Sequence, residues 1–599
     1  MNDFFQEDEA AIGNVYDRQI AGRLLTYLRP YRKLIVVTSV LMVIGSLMTL
    51  VGPLIVHYAI DEQILVGQTD QLDFLLMLFF AHLLVGFVFR YAQDALMAFV
   101  GQRVVMDMRL QLFTHLQRMS ISYFDRNPVG RLVTRVTNDI ATIDQAITVG
   151  VITIFTNLLM VSSIVVVLLW IDWRLALTMY AFLPFLILSV RYFAAKQRDL
   201  FREQRLWLAR INAFLNETIT GVAVVQLFNR QRESARRFDV QNSAFLSANL
   251  RFVFWYAVFE PVVVLFAAGT TAVILWYGGI RVLDDSFTLG NLVAFTQYMA
   301  LFYWPLRELA QRYTTLQQAM ASAERVFGVL DEPEELTDIE TPRHLGDRIF
   351  GKIEFRNVWF AYEPDNWILK DVSFTVQPGE WVAVVGATGA GKTTILSLLT
   401  RFYDVQRGSI LVDDIPIDQL PQRELRRHVG LMLQEPFVFT DTIEENIRLR
   451  DTSISGEQVR RAAEQIGASG FIERLPAGYD TMLAERGANL STGQKQLVAL
   501  ARVAAFNPEI VLVMDEATAS IDPETEAAIQ RGIREVMTER SSIVIAHRLN
   551  TIRAVNRIIV LDHGEVVEEG THEQLLANRG QYHRLYELQY RDDVPVAGG

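Results

Sequence analysis

The sequence predicts two folds in series: a membrane-embedded α-helical bundle of six spans, then an α/β domain built around a phosphate-binding loop. Three observations carry this expectation. Long uncharged apolar runs are confined to the first 325 residues. Beyond residue 350 the pattern changes to short apolar strands alternating with helices. One of those strands runs directly into a glycine-rich loop and a helix.

The composition narrows the choice before any motif is read. The 599 residues are 51% hydrophobic and only 21% charged, with a mean hydropathy of +0.20. That excludes disorder and collagen. There is no cysteine, which excludes disulfides, thiolate zinc sites, iron–sulfur clusters and a cysteine nucleophile. A net charge of -12 argues against a nucleic-acid partner held along the whole surface. The opening MNDFFQEDEA is acidic and does not read as a cleaved signal peptide.

Six runs lack any charged residue: 34–60, 74–89, 145–171, 175–190, 261–280 and 286–306. A bilayer core of about 30 Å needs about 20 apolar residues in a helix. Three runs meet that outright. Runs 74–89 and 175–190 are short but continue as helix-compatible sequence, and run 286–306 carries Gly290 and Pro305. Lys and Arg cluster ahead of the first run and in the connections 102–140 and 191–251, whereas 61–73 has neither. The positive-inside rule therefore expects the N-terminus, both long connections and, after six crossings, the C-terminal half in the cytoplasm.

The long inner connections mix apolar and charged residues at helical spacing. Spans two to five are expected to continue as helices well beyond the bilayer, broken at 123–130 and at 218–228 around Gly221. Segment 15–28 is amphipathic and basic and is expected to lie in the membrane surface, with an ordinary cytoplasmic helix as the alternative. Arg90 in span two and Glu260, ahead of Pro261 in span five, are intramembrane charges and so functional suspects, unless they sit at a hydrated boundary. Aromatics Phe254, Trp255, Tyr256, Phe259, Phe295, Tyr298, Phe302, Tyr303 and Trp304 can line a cargo cavity or simply pack, and no site is assigned to them. The acidic, proline-broken stretch 326–349 reads as a linker between a membrane domain, 1–325, and a second domain, 350–591. The tail 592–599 is expected to lack structure.

In the second domain the run Trp381–Val385 suits a buried strand, and Ile395–Leu399 suits a helix. Between them stand Gly386, Ala387, Thr388, Gly389, Ala390, Gly391, Lys392, Thr393 and Thr394. This is G-x-x-x-x-G-K-[ST] in its required context, where glycines let backbone N–H groups turn inward around phosphate oxygens. Lys392 is expected to reach the β/γ-phosphates and Thr393 to give its hydroxyl to Mg²⁺. A second apolar run, 510–514, delivers Asp515 and Glu516 at its end. Asp515 suits a Mg²⁺-associated acid, and Glu516 a base that orients attacking water.

At this point the sequence resembles the ATP-binding-cassette family. The stretch Asn489-Leu490-Ser491-Thr492-Gly493-Gln494-Lys495-Gln496 matches its signature motif. The resemblance implies an adenine-stacking role for Tyr362 and a Mg²⁺-sensing role for Gln434. It implies an inter-site loop at Ser520 and Asp522, and a switch histidine at His547 that contacts the γ-phosphate. Six spans ahead of one cassette, and the segment YFDRNPVGRLVTRVTND at 123–139, resemble bacterial multidrug and lipid half-transporters. The fold so implied is a domain-swapped dimer. In it Ser491, Thr492, Gly493 and Gln494 contact the ATP of the partner's cassette.

The implied function is ATP-driven export of hydrophobic or amphipathic cargo (drugs, lipids or peptides) across the cytoplasmic membrane, with ATP and Mg²⁺ as cofactors, membrane lipid as surroundings and no nucleic acid. One departure stands out. Thr492 occupies a position that is glycine in the common signature. With Glu516 intact, this resembles the catalytically complete chain of a heterodimeric exporter; a homodimer is the alternative. An ATP-gated channel or regulatory subunit shares the scaffold. A peptide exporter with its own peptidase is disfavoured, because the N-terminal extension of about thirty residues is too short and lacks a cysteine nucleophile.

Overall fold

The computed structural model describes residues 18–67, 70–145, 152–333, 338–339, 341–346, 348–515, 522–546 and 549–590. The chain forms two compact units. One comprises residues 1–117 and 129–332; the other comprises 118–128 and 333–599.

The first unit is helical. By length and composition, five described helices can cross a membrane: Gln19–Ile64, Leu72–Leu116, Ile154–Ile171, Trp173–Thr220 and Gln231–Leu283. The sixth expected span lies within the continuous helix Leu289–Leu330. It is less apolar because Asn291, Thr296, Gln297 and Tyr298 interrupt it. Its large side chains turn inward: Phe295, Tyr298 and Phe302 are fully buried. They pack with Leu50, Ile164, Leu168 and Leu175 in one core, and the Tyr298 hydroxyl donates to the Leu50 carbonyl at 2.6 Å. Tyr303 shares a 2.8 Å hydrogen bond with Thr270. These four aromatics are therefore packing residues, whereas Phe254, Tyr256 and Trp304 are exposed.

Several helices outrun a bilayer, as their mixed composition predicts. Leu72–Leu116 has 45 residues, about 68 Å at 1.5 Å per residue, against a core of about 30 Å. Helices Leu183–Thr220 and Gln231–Val273 form a long hairpin stitched by Gln204–Asn249 at 2.8 Å and by ring contacts such as Phe193–Trp255. The break at Gly221 falls where expected, followed by the short helix Val222–Leu227 and a left-handed Asn229. The helix runs on through Glu260–Pro261. The other break differs in detail. Residues 121–126 are helical, N-capped by Ser120, so the chain bends at 117–120 and again at Asn127-Pro128, where the proline holds Asn127 extended.

The N-terminal helix packs in part against other helices. Residues 15–17 lie outside the described residues, but Arg18–Leu28 continues through a 3₁₀ turn into Arg32–Tyr58. Tyr27 donates to Gln111 at 2.7 Å and Tyr31 to Asp107 at 2.8 Å. Arg23 pairs with Asp331 and covers the Phe327 ring at 4.3 Å. These contacts hold one side of the helix, while Leu25 stays 60% exposed. The helix that carries Phe327 runs through Leu330, so irregular chain begins at Asp331.

The helix ends near residues 61, 172 and 290 are tied by carboxylates. Asp172 caps helix Trp173–Tyr180 and pairs with Arg281. Asp61 accepts from the Gly290 N–H at 2.7 Å.

Among its described residues the second unit holds ten strands: β1 (Ile353–Ala361), β2 (Trp367–Val376), β3 (Trp381–Gly386), β4 (Arg407–Val412), β5 (Ile415–Pro416), β6 (Val429–Met432), β7 (Ile510–Asp515), β8 (Ser541–Ala546), β9 (Arg557–Asp562) and β10 (Glu565–Gly570). An antiparallel sheet has order β2-β1-β4-β5; a second has order β10-β9-β3-β8-β7-β6. In the second, all neighbours except β10 are parallel. Strands β3 and β8 are buried almost throughout, which is why they read as unbroken apolar runs. One core fills the space beside the antiparallel sheet; the other gathers helices Gly456–Gln465 and Thr492–Phe506 against the opposite face.

Gly290 supplies a prediction. A Cβ there would lie 2.6 Å from the His57 carbonyl oxygen and 2.7 Å from an Asp61 carboxylate oxygen. Gly290→Ala should cost about 1–3 kcal/mol of overpacking. The expected result is a lower apparent melting temperature of the detergent-solubilised protein than for Gly279→Ala, where nothing lies within 4 Å. Equal melting of the two variants would show that the helix ends around Gly290 are not closely packed.

Candidate nucleotide site

The parallel register builds the site. Val384 of β3 pairs with Ile545 of β8, and Asp515 of β7 pairs with Ala546 of β8. The C-terminal ends of these three strands therefore share one sheet edge, the edge where open α/β sheets place their ligands. From β3 springs the loop 386–391. From β7 comes the Asp515 backbone, whose side chain is not among those described, and after β8 the chain proceeds to position 547. Glu516, Ser520 and His547 lie outside the described residues.

The loop needs its glycines. Gly391 has φ +99° and stands at the N-cap of helix Lys392–Leu399; a Cβ there would meet Leu369 at 2.6 Å. At Gly386 a Cβ would approach the Leu561 carbonyl oxygen at 2.3 Å. Ala387, Thr388 and Gly389 are exposed, while Ala390 is buried. The free N–H groups of the helix end favour an anion there. Lys392 is buried and its Nζ donates to the carbonyls of Gly386, at 2.9 Å, and Ala387, at 3.0 Å. It thus spans the mouth of its own loop, where a phosphate oxygen can replace those carbonyls.

Thr393 is exposed at the start of the helix, and Thr394 is buried. The Tyr362 hydroxyl donates to Thr394 Oγ1 at 3.3 Å, which fixes a ring that is 48% exposed beside the loop. Gln434 is exposed two residues after β6, next to β7 in the sheet. Thr393, Gln434 and Asp515 would supply only oxygen donors, the set a hard cation such as Mg²⁺ prefers. Among the described residues no group of three or more His, Asp or Glu is placed to hold a metal ion.

The signature residues sit on a different element. Ser491 is the N-cap of helix Thr492–Phe506. Its Oγ accepts from the Gln494 N–H at 3.2 Å, and the Gln494 side chain accepts from the Ser491 N–H at 2.9 Å, a complete capping box. Gly493 is buried, and Ser491 and Thr492 are exposed. These hydrogen bonds close within the helix's own first turn. Asp522 caps helix Pro523–Met537 by accepting from Thr525, whose hydroxyl bond holds the carboxyl below its usual range.

Arg502 is a further residue of this region that motif reading passed over. It lies on the signature helix and donates to the carbonyls of Asn446, at 3.0 Å, and Phe437, at 3.2 Å. Burial pushes its pKa down. It ties the signature helix to the segment that follows Gln434. The only sequence signal was a lone charge inside the apolar run QLVALARVAAF.

Comparison with known proteins fits this geometry. Residues 35–306 match the ABC transporter transmembrane region, a match that includes the expected sixth span, and residues 369–519 match the ABC transporter domain. The uncharacterized ABC transporter ATP-binding protein YknV of Bacillus subtilis is 38% identical over 592 residues, covering 98% of this chain and 97% of that protein. An ATP-dependent lipid A-core flippase of Syntrophus aciditrophicus is 35% identical, covering 96% and 95%. A bacterial Atm1-family ABC exporter solved with ATP bound superposes with a TM-score of 0.77 at 27% identity, covering 95% of this chain and 99% of that one. The chain belongs to the ABC transporter family and is a multi-pass membrane exporter whose transport is coupled to ATP hydrolysis.

Proposed function

We propose that this chain is the catalytically complete half of a heterodimeric exporter of lipidic or amphipathic cargo in the cytoplasmic membrane, with both termini in the cytoplasm. The observation that carries the catalytic part is the shared edge of β3, β8 and β7, which gathers the phosphate loop, Asp515 and the approach to His547. Tyr362 stacks on the base, and Lys392 and the loop N–H groups hold the phosphates. Thr393, Gln434 and Asp515 hold Mg²⁺, which neutralises phosphate charge. Glu516 orients the attacking water and His547 contacts the γ-phosphate. Ser491, Thr492, Gly493 and Gln494 meet the nucleotide of the partner, and Ser520 and Asp522 link the two sites. Residues 1–325 form the membrane domain and 350–591 the nucleotide domain, joined by the stretch 326–349.

The need for a second chain has support in the helical unit. Val222, Val224, Leu227 and Phe228 at the hairpin tip are 45%, 60%, 76% and 67% exposed. So much apolar surface at the end of helices that outrun the bilayer calls for a protein partner. Lipidic cargo is supported by relatives named as lipid A-core flippases and by a fatty acid ABC transporter of Mycobacterium bovis, 36% identical over 495 residues.

Thr492 bears on the identity of the partner. Ser491 is extended at φ -69°, ψ 160°, and residue 492 opens the helix, where glycine's conformational freedom is not used. The threonine therefore costs no backbone strain, and what it changes is the side chain presented to the partner's site. On the heterodimer reading that site does not hydrolyse. Thr492→Gly should then alter stability by a few tenths of a kcal/mol and turnover by less than about twofold. A several-fold rise in ATPase turnover would favour a homodimer with two equivalent sites.

Two measurements test the rest. Glu516→Gln should keep nucleotide binding and slow hydrolysis on the order of 10²–10³-fold, the usual contribution of a positioned base. Unchanged steady-state hydrolysis would remove Glu516 from the site. Expressed alone and reconstituted, the chain should show little coupled transport, and full activity should appear with a second half-transporter. Full coupled activity of the chain by itself would overturn the heterodimer.

A further inference from the structure

The turn after the phosphate-loop helix contains a ring that the catalytic reading does not use. Tyr403 meets Tyr362 edge to face, with centroids 5.0 Å apart and planes at 86°. Phe360, 2% exposed, closes the triangle at 4.8 Å from Tyr362 and 5.6 Å from Tyr403. Tyr362 is thus backed by two rings, while nearly half of its surface stays open.

The turn that carries Tyr403 is stiff. Arg401 adopts φ +52° and is 2% exposed. Its guanidinium donates to Asp404 Oδ1 at 3.0 Å and to the Leu420 carbonyl at 3.0 Å. The Phe402 N–H donates to the Ser397 carbonyl at 2.9 Å. Tyr403 can therefore move chiefly about its own side-chain torsions.

Those torsions are held from one direction. The Tyr403 hydroxyl donates to Asp125 Oδ2. Asp125 lies on helix Ile121–Arg126, which belongs to the second unit although its neighbours in sequence belong to the first. That short helix is itself anchored: Ser120 caps it, Tyr123 is 5% exposed, and the Asn127 side chain donates to the Tyr123 carbonyl at 3.0 Å. Burial and the adjacent carboxylate together push the Tyr403 phenol well above its usual pKa, so it stays a donor throughout the neutral range.

We propose that Tyr403 is a positioning residue for ATP, holding the Tyr362 ring in place for the base, and that its hydrogen bond to Asp125 makes base affinity depend on the position of segment 120–126. The inference rests on the reading of Tyr362 as the base-stacking residue. Removing the Tyr403 ring removes an edge-to-face pair. Removing only its hydroxyl, or the carboxylate, frees the ring to rotate while leaving it present.

The test uses the full transporter assembly in lipid nanodiscs. It reads the KM for ATP and the inhibition constant of magnesium tripolyphosphate, which has phosphates and no base. Tyr403→Ala should raise the ATP KM on the order of five- to tenfold, the scale of an aromatic pair, and leave tripolyphosphate inhibition unchanged. Tyr403→Phe and Asp125→Ala should each raise the ATP KM about threefold, and the double variant no further, because both remove one hydrogen bond. An equal loss for ATP and tripolyphosphate in Tyr403→Ala, or additive effects in the double variant, overturns the proposal. Should Tyr403→Ala fail to fold, the pair of hydroxyl and carboxylate variants decides alone. Tyr362→Ala separates the two readings. If it leaves the ATP KM unchanged, the base-stacking assignment itself fails. If it raises that KM while the Tyr403 and Asp125 variants do not, only the positioning role fails.

Discussion

Backbone hydrogen bonds between β3, β8 and β7 set the spacing on which the nucleotide site depends. In a parallel sheet neighbouring strands lie about 4.8 Å apart, and residues in register end at one level. Ile543, Val544 and Ile545 of β8 pair with β3 on one side and β7 on the other. A one-residue slip of any of the three would turn its whole side-chain pattern over and shift its exit by about 3.3 Å. Burial on both faces makes such a slip costly, since every residue of β8 is buried. The chemistry at the edge inherits its precision from strands that contribute no reactive group.

A second constraint comes from helix length. Once a helix runs about twice the thickness of a bilayer, its far end must be covered by protein or carry polar groups. The extensions here do both. Helix Leu72–Leu116 receives Tyr27 and Tyr31 on Gln111 and Asp107, and helix Leu289–Leu330 binds Asp139 through Arg325 at 2.6 and 3.1 Å. The tip at 222–228 carries exposed apolar groups instead. A rigid lever needs such a free end, because motion can be passed on only through a surface that its own unit leaves open.

What the sequence disclosed follows from the range of the interactions. The strand–loop–helix at 381–399 was legible because its chemistry is local: two glycines in tight backbone contact and a lysine at the helix start. The break at Gly221 was legible for the same reason. The contacts of the N-terminal helix were not legible, because helical periodicity reports an apolar stripe and not what covers it; lipid and the face of another helix look alike. The polar interruptions of run 286–306 mark a helix buried against its neighbours, and composition alone cannot tell this from a poor span. Tyr403 and Asp125 are 278 residues apart, and neither belongs to a motif that would have joined them. Thr492 was legible as a departure from glycine, but its consequence was not; the capping box places it at a helix start, where threonine is acceptable.

Coupling requires that ATP bind two arrangements of the protein with different affinity, since a ligand that binds both equally shifts nothing. The phosphate loop is poorly suited to supply that difference by itself. Its strand, helix and glycine contacts are locked within the sheet. On the proposed reading of Tyr362 as the base platform the case is different, because Tyr362 is half exposed and is held by side chains. Two of its supports have distinct origins: Thr394 belongs to the phosphate helix and Tyr403 leads to segment 120–126. When both are in place the ring presents one orientation to a base, and when segment 120–126 withdraws one support is lost. On the proposal made above, linkage has the same energy act in reverse, so a base seated on Tyr362 would favour the arrangement in which Asp125 stays bonded. The threefold change in affinity expected from this one hydrogen bond corresponds to about 0.7 kcal/mol, just below the range of a typical allosteric coupling energy.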